Sequence, residues 1–302
     1  MHHHLSWLEA GVIGAMQGVA ELFPVSSLGH SVLIPAVVGG SWQRDLNVRA
    51  GESPYLAFIV GLHVATAIAL IVYFWRDWLR IIRGLGTSIV RREIADPDQR
   101  LAWLLIAGTI PIGIAGLALE HVFRTTLSRP VPTACFLVVN GLMLFAIERG
   151  RHAADDNVDY VDERVSGPIS DRRIAGTTSV RKAVAIGSAQ ILALAPGISR
   201  SGVATSAGML GKLSREDAAR FSFLLATPVI LAAGVLKLGD LAGPLGDGIR
   251  GQVLFASVLS GVGAYLSVRF LTRYLAHRSL RPFGAYCVAA GTFCLIWFAA
   301  RG

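Results

Sequence analysis

Long stretches almost free of charge, alternating with charged, mostly short connectors, recur along the whole chain. This alternation decides what the polypeptide can fold into. An α-helix rises about 1.5 Å per residue, so roughly 20 apolar residues cross the ~30 Å of hydrocarbon in a bilayer. Backbone polar groups find no water there, so segments of this length are expected to be helices. The apolar runs give six full-length candidates: Tyr55–Trp75, Leu101–Leu119, Val131–Ile147, Ala218–Leu236, Val253–Phe270 and Phe283–Ala299. Charged residues make up 16% of the 302, where a soluble domain carries about 25%. The chain reads as an all-α polytopic membrane protein.

The net charge of +8 raises nucleic acid as a partner, but the cations sit in connectors beside apolar segments rather than in a soluble basic domain. Membrane lipid is the expected surrounding, and no nucleic acid is expected. Cys135, Cys287 and Cys294 lie inside apolar stretches without metal-ligand spacing and read as small buried hydrophobes. His2, His3 and His4 read as a tag remnant or an extended start. No cleavable signal peptide is expected, since the first apolar stretch lacks a cationic flank and carries Glu21.

Two further apolar stretches are broken in the middle. The first runs from Leu8 to Val38 and breaks at Phe23-Pro24-Val25-Ser26-Ser27-Leu28-Gly29-His30; the second runs from Ala183 to Leu210 and breaks at Ala195-Pro196-Gly197-Ile198-Ser199-Arg200-Ser201-Gly202. Proline and glycine stop a helix where they stand, and each half is too short to span alone. Two re-entrant helix hairpins fit this pattern. Gln17 stands seven residues before Pro24 and Gln190 six before Pro196, and three spans follow each hairpin. The expected organisation is a first repeat over 1–150, a polar connector over 151–182 and a second repeat over 183–302.

Charge orients the arrangement. The connectors Arg76–Arg100, Arg149–Lys182 and Arg269–Arg281 are rich in arginine, and the alternate ones, with Arg44 and Arg49, Arg124 and Arg129, Lys237 and Arg250, are poorer. The rich side is expected in the cytoplasm, with both termini outside. The two hairpins then enter from opposite faces, an inverted-topology repeat whose broken helices meet near the midplane. The connector holding Asp155, Asp156, Asp159, Asp162 and Glu163 reads as a solvated link between the halves.

Polar groups inside a membrane are costly, which makes those at the breaks functional candidates. Gln17 and Glu21 share a helix face; Ser26, Ser27 and His30 begin the returning helix, and Ser199, Arg200 and Ser201 begin its counterpart. A guanidinium fork and a helix N-terminus both favour phosphate. A phosphate clamp, a carboxylate, an imidazole and hydroxyls are the parts that phosphoryl transfer requires. Each also has a structural use. Ser26, Ser27 and Ser201 can be helix caps, His30 a buried hydrogen-bonding histidine, and Glu21 with Arg200 an ion pair between the halves.

At these residues the sequence resembles the undecaprenyl-diphosphate phosphatase family, also called the bacitracin-resistance protein family. The resemblance is carried by Gln17 to His30, by Pro196-Gly197-Ile198-Ser199-Arg200-Ser201-Gly202 and by Asp217 to Pro228, and extends over essentially the whole chain. It implies a hydrolase in the bacterial inner membrane that takes the terminal phosphate from undecaprenyl diphosphate. This recycles the lipid carrier for peptidoglycan synthesis and confers bacitracin resistance. It implies an outward-facing site with Glu21, Ser27, His30 and Arg200 as catalytic residues, and Gln17, Ser26, Ser199, Ser201 and, more weakly, Thr205 on the substrate. Ser27, His30 or water is the nucleophile. A divalent cation, Mg or Ca, is allowed for, with Glu21 as its candidate holder; a homodimer is also allowed for. Two departures stand out: Gln17 occupies the first acidic position of the family motif, and Ala204 replaces its usual threonine.

A lipid-carrier flippase or other secondary transporter of the same architecture is the competing reading, because inverted re-entrant repeats also serve transport. A transporter needs Arg200 but has no use for a nucleophile. The unrelated acid-phosphatase type of lipid phosphatase is excluded: it needs a histidine downstream of Ser199-Arg200, and none occurs between His152 and His277. His63, inside the first full span, reads as packing or as a supporting group near the site.

Overall fold

The computed structural model describes residues 5–46, 54–154, 168–243 and 247–301. His2–His4, Arg49 and the acidic residues of the connector, Asp155 to Glu163, lie outside them. The described residues are helical throughout, joined by short turns. The elements are α1 (Trp7–Ala20), α2 (Ser27–Val38), α3 (Gly40–Asp45), α4 (Pro54–Tyr73), α5 (Trp75–Arg91), α6 (Pro97–Leu127), α7 (Pro130–Ala154), α8 (Pro168–Thr177) and α9 (Val180–Ala189). There follow a 3-10 turn (Gln190–Leu194), α10 (Arg200–Leu210), α11 (Arg215–Ala242), α12 (Arg250–His277) and α13 (Arg281–Ala299).

The helix starts are written in the sequence. Ser6 and Glu9 form a capping box on α1, Asp96 and Gln99 another on α6 with Pro97 in its first turn, and Ser179 caps α9. Among the described residues five helices carry spans long and apolar enough to cross a membrane: Pro97–Leu119, Pro130–Gly150, Arg215–Gly234, Arg250–His277 and Arg281–Ala299. A sixth is counted when α4 and α5, bent by 85° at Phe74, are taken as one broken span. Apolar side chains stand exposed in helical stripes, Ile110, Ile114 and Leu117 on α6 and Leu254, Val258 and Val262 on α12. Such continuous apolar surface is what hydrocarbon, not water, covers. This is a multi-pass membrane protein.

One connector is not a loop. The segment after Trp75 is α5, with three stripes along it. Ile81, Gly84 and Ser88 face the protein. Trp75, Leu79, Ile82 and Ile89 are exposed, and Arg76, Arg80 and Arg83 line a charged side. A helix with one apolar and one cationic side lies in an interface rather than crossing it. The charges that marked it as a connector are what lay it across the axis of α4.

A second outcome concerns how the helices pair. α1 packs on α12, and α9 packs on α6; α7 meets α13, and α4 meets α11; α2 touches α13, and α10 touches α7. Close approach at these contacts is secured by small residues. A Cβ on Gly14 would stand 2.6 Å from the Ala256 carbonyl oxygen, and one on Gly141 would stand 2.6 Å from that of Gly284. Gly187 of α9 lies directly on the backbone of Gly108 in α6. Small residues at membrane helix contacts let backbones approach where no hydrophobic effect pushes them together.

At the end of the molecule where α5, α6, α8 and α11 meet, ion pairs hold the helices. Asp171, 1% exposed, takes Arg220 at 2.7 Å and Arg80 at 2.6 Å. Arg80 also reaches Asp77 at 2.6 Å and Asp98 at 2.8 Å, while Asp217 takes Arg173 at 2.9 Å and the Ser170 hydroxyl. Arg215 grips the buried Glu148 through two hydrogen bonds of 2.8 Å, and the Leu280 N–H donates to the same carboxylate. The Asp217–Pro228 run is therefore partly a structural knot.

Candidate active site

The two breaks meet, and the reason lies in helix ends. Glu21 caps the C-terminal end of α1, and Arg200 is the first residue of α10. A carboxylate at a helix C-terminus and a cation at an N-terminus both stand at the unfavourable ends of their helix dipoles. Neither is satisfied by its own helix, and they compensate each other: Arg200 Nη2 donates to Glu21 Oε1 at 2.9 Å. The other carboxylate oxygen, Oε2, accepts from the Ser27 hydroxyl at 2.5 Å and from Gln17 Nε2 at 3.0 Å, and lies 3.3 Å from His63 Nε2. The site is buried, with Glu21 and Ser27 each 7% exposed. Two polar atoms at its heart have no partner among the described residues, Arg200 Nη1 and Gln17 Oε1. A buried guanidinium N–H without an acceptor, beside the open N–H groups of a helix start, is a place for an oxyanion.

The other serines at the breaks are occupied. Ser26 adopts a left-handed φ of 68°, unusual for a residue with a side chain. Its hydroxyl accepts from Gly29 N–H at 3.2 Å, capping α2, and from Gly197 N–H of the other break at 3.1 Å. Gly197 itself has φ 108° and leaves no room for a Cβ against the Thr133 carbonyl. Ser199 caps α10 by accepting from Gly202 N–H, and the Ser201 hydroxyl donates to the Phe23 carbonyl oxygen at 3.2 Å. Asn140 of α7 joins the two turns, accepting from Ser199 N–H at 3.0 Å and donating to the Pro24 carbonyl oxygen at 3.0 Å. Of the candidate hydroxyls at the breaks, Ser27 is the one held on the carboxylate.

His30 takes a different position. Its Nδ1 lies 2.7 Å from the Ser26 carbonyl oxygen and its Nε2 2.7 Å from the Tyr286 hydroxyl. A carbonyl only accepts, so Nδ1 carries the proton, and in the neutral ring Tyr286 donates to Nε2. The two rings stack with an interplanar angle of 8°. Thr205 is buried in α10 and is not among the partners of the Glu21 carboxylate.

The chain as a whole matches a known group of proteins. Residues 10–293 match the family described as Bacitracin resistance protein BacA. The chain belongs to the BacA family. It is 59% identical over 306 residues to the undecaprenyl-diphosphatase of Mycolicibacterium paratuberculosis and 58% identical over 306 to that of Mycobacterium avium, with all of each chain covered. It is 49% identical over 340 residues to undecaprenyl-diphosphatase 2 of Frankia alni, covering 98% of this chain and 99% of that one.

Within this BacA protein the Glu21 donor set does not suit a divalent cation held by protein groups. Both carboxylate oxygens are taken, Arg200 supplies a positive charge at 2.9 Å, and Gln17 brings no negative charge. Hard cations ask for several oxygen ligands and a surplus of negative charge. Among the described residues no group of three or more His, Cys, Asp or Glu is gathered.

Asn140 and Tyr286 were not foreseen. Asn140 carried a signal, an amide in the middle of the Val131–Ile147 run, where a polar side chain needs a reason. Tyr286 carried none, since a tyrosine in an apolar helix is ordinary.

Proposed function

We propose that this protein hydrolyses undecaprenyl diphosphate to undecaprenyl phosphate and inorganic phosphate, with Ser27 as nucleophile. The observation that carries the mechanism is the Ser27 hydroxyl donating to Glu21 at 2.5 Å beside a guanidinium with one buried N–H unused. In the first step Ser27 Oγ bonds to the terminal phosphorus. The bond from that phosphorus to the bridging oxygen breaks, undecaprenyl phosphate leaves with the bond pair, and the hydroxyl proton passes to Glu21 Oε2. Water then attacks the phosphoserine, its protons leave with inorganic phosphate, and Glu21 returns the proton to Ser27. Arg200 and the first N–H groups of α10 hold the equatorial oxygens, where fixed charge counts most. Ser26, Ser199 and Ser201 keep the two turns together around that pocket. His30 secures the Ser26–Ser27 peptide, and its Nε2, an acceptor in the neutral ring, becomes available to water or to a protonated phosphate oxygen when Tyr286 yields.

The same reading makes the breaks a pair of re-entrant hairpins in an inverted repeat, with six spans, both termini outside and the site facing outward. The paired contacts, α1 on α12 with α9 on α6 and α2 on α13 with α10 on α7, support it, since a two-fold relation between halves exchanges each member of a pair for the other. A site on the outer leaflet would recycle the lipid carrier where the cell wall is built.

Phosphate release from undecaprenyl diphosphate in detergent, wild type against Arg200→Ala and Glu21→Gln, tests the proposal. Removing one stabiliser of transferring phosphoryl charge costs about 100- to 1,000-fold in kcat. A wild-type rate at background would overturn it. The Ser27–Glu21 pair favours hydrolysis over transport, because a carrier has no step that needs an activated hydroxyl.

A further inference from the structure

We infer that His63 of α4 is the positioning residue for Glu21, a third element's contribution to a site otherwise built from the two breaks. The inference rests on the phosphatase reading. His63 Nδ1 lies 2.8 Å from the carbonyl oxygen of Ile59, four residues earlier on the same helix, so α4 itself sets the ring orientation. Nε2 then points at Glu21 Oε2, 3.3 Å away. A carbonyl oxygen can only accept, so Nδ1 carries a proton. A carboxylate oxygen also offers only lone pairs, so Nε2 faces it favourably only with a proton as well. Both ring nitrogens stand as fixed donors. The charged groups facing the ring are Glu21 from the end of α1 and Arg200 from α10.

The need for this donor follows from what the site must do. Arg200 is the charged partner of Glu21 Oε1 and also the group with an unused N–H for a phosphate. When a diphosphate draws the guanidinium toward itself, Oε1 loses its cation. Gln17 on Oε2 is neutral and cannot replace it. His63 is the side chain that still holds Oε2 against Ser27 through that exchange, from α4, which belongs to neither break. Its contact is with the carboxylate that takes the Ser27 proton, not with Ser27 or the phosphate. Its effect passes through the carboxylate, as that of an orienting residue does in other two-residue acid–base pairs.

Kinetics in detergent on His63→Met, His63→Gln and His63→Asn, with gel filtration and thermal melting to establish folding, test the inference. Methionine keeps the length and volume without an N–H. The expected result is a fall in kcat of about 10- to 100-fold with KM changed by less than about threefold, the split that marks loss of positioning rather than of binding. Glutamine reaches Oε2 with an amide N–H and should restore most of kcat; asparagine, one methylene shorter, should not. Wild-type kcat in His63→Met would overturn the inference, as would equal losses in all three variants. If His63→Met does not fold, glutamine against asparagine decides alone, and equal kcat in those two overturns it. A wild-type protein without phosphate release would instead remove the phosphatase reading, visible before any variant is compared.

Discussion

Glu21 and Arg200 are each in the wrong place by the rules of isolated helices and in the right place together. That is why single residues at the breaks were readable from sequence. A carboxylate just before a proline turn and an arginine just after another have no structural reason to sit in lipid unless they meet, and they do, at 2.9 Å. What sequence could not divide was the labour among the serines. Ser26, Ser27, Ser199 and Ser201 are alike in type and setting, and only coordinates reveal that Ser26, Ser199 and Ser201 spend their hydroxyls on backbone groups while Ser27 faces Glu21. The difference is testable. Ser27→Ala should abolish phosphate release with the protein still folded, as gel filtration and a cooperative thermal transition would establish. Ser26→Ala removes a cap and a bond to the other break, so it should lower stability by about 1–2 kcal/mol while leaving a measurable rate. Tyr286→Phe frees His30 Nε2 at the cost of one hydrogen bond, so kcat/KM should shift by about three- to tenfold, not by orders of magnitude. A larger loss would make Tyr286 part of the chemistry.

Helices were the most legible elements, because the length of an apolar run and its capping residues act locally. Five of the six expected runs lie inside single helices of the structure, the run Tyr55–Trp75 instead passes through the bend at Phe74 between α4 and α5, and both breaks separate helices. α5 escaped because a run of arginines looks the same in a loop as on one side of an interfacial helix; its protein-facing stripe, Ile81, Gly84 and Ser88, holds a single large apolar side chain. The contacts between elements escaped for another reason: they depend on small residues and ion pairs that are far apart in sequence. Gly187 shows the cost of changing one. Gly187→Leu drives a side chain into the Gly108 backbone and should force α9 from α6, seen as loss of the monodisperse species on gel filtration. Gly86→Ala, on α5 where nothing lies within 4 Å, should be neutral or stabilising by about 1 kcal/mol. The Glu148–Arg215 pair makes the same point with charge. Arg215→Ala takes a charged partner from a carboxylate of 0% exposure that keeps the Leu280 N–H, and should destabilise the protein by about 3 kcal/mol without touching the site.

Across the whole molecule, an inverted repeat has a consequence that a parallel one lacks: corresponding connectors of the two halves lie on opposite faces of the membrane. The connector after α5, carrying Glu93, and the turn before α12, carrying Asp247, both join consecutive long helices, one in each half. On the proposed orientation Glu93 is expected inside and Asp247 outside. Both positions are exposed, so a cysteine at either is reachable from the solution on its own side. Cys135 is exposed in α7 and is first replaced by serine to clear the background; Cys287 and Cys294 are buried. A membrane-impermeant maleimide applied to intact cells should then label Asp247→Cys and spare Glu93→Cys until the membrane is opened. The same experiment bears on the chemistry. On the proposed topology Glu21 and Ser27 belong to the hairpin that enters from the side of Asp247, so labelling of Asp247→Cys from outside would place the open end of the site toward the outer leaflet. Labelling of both positions from one side would mean that the halves run parallel. The pairing of α1 on α12 with α9 on α6 would then need another explanation than a two-fold axis in the membrane plane.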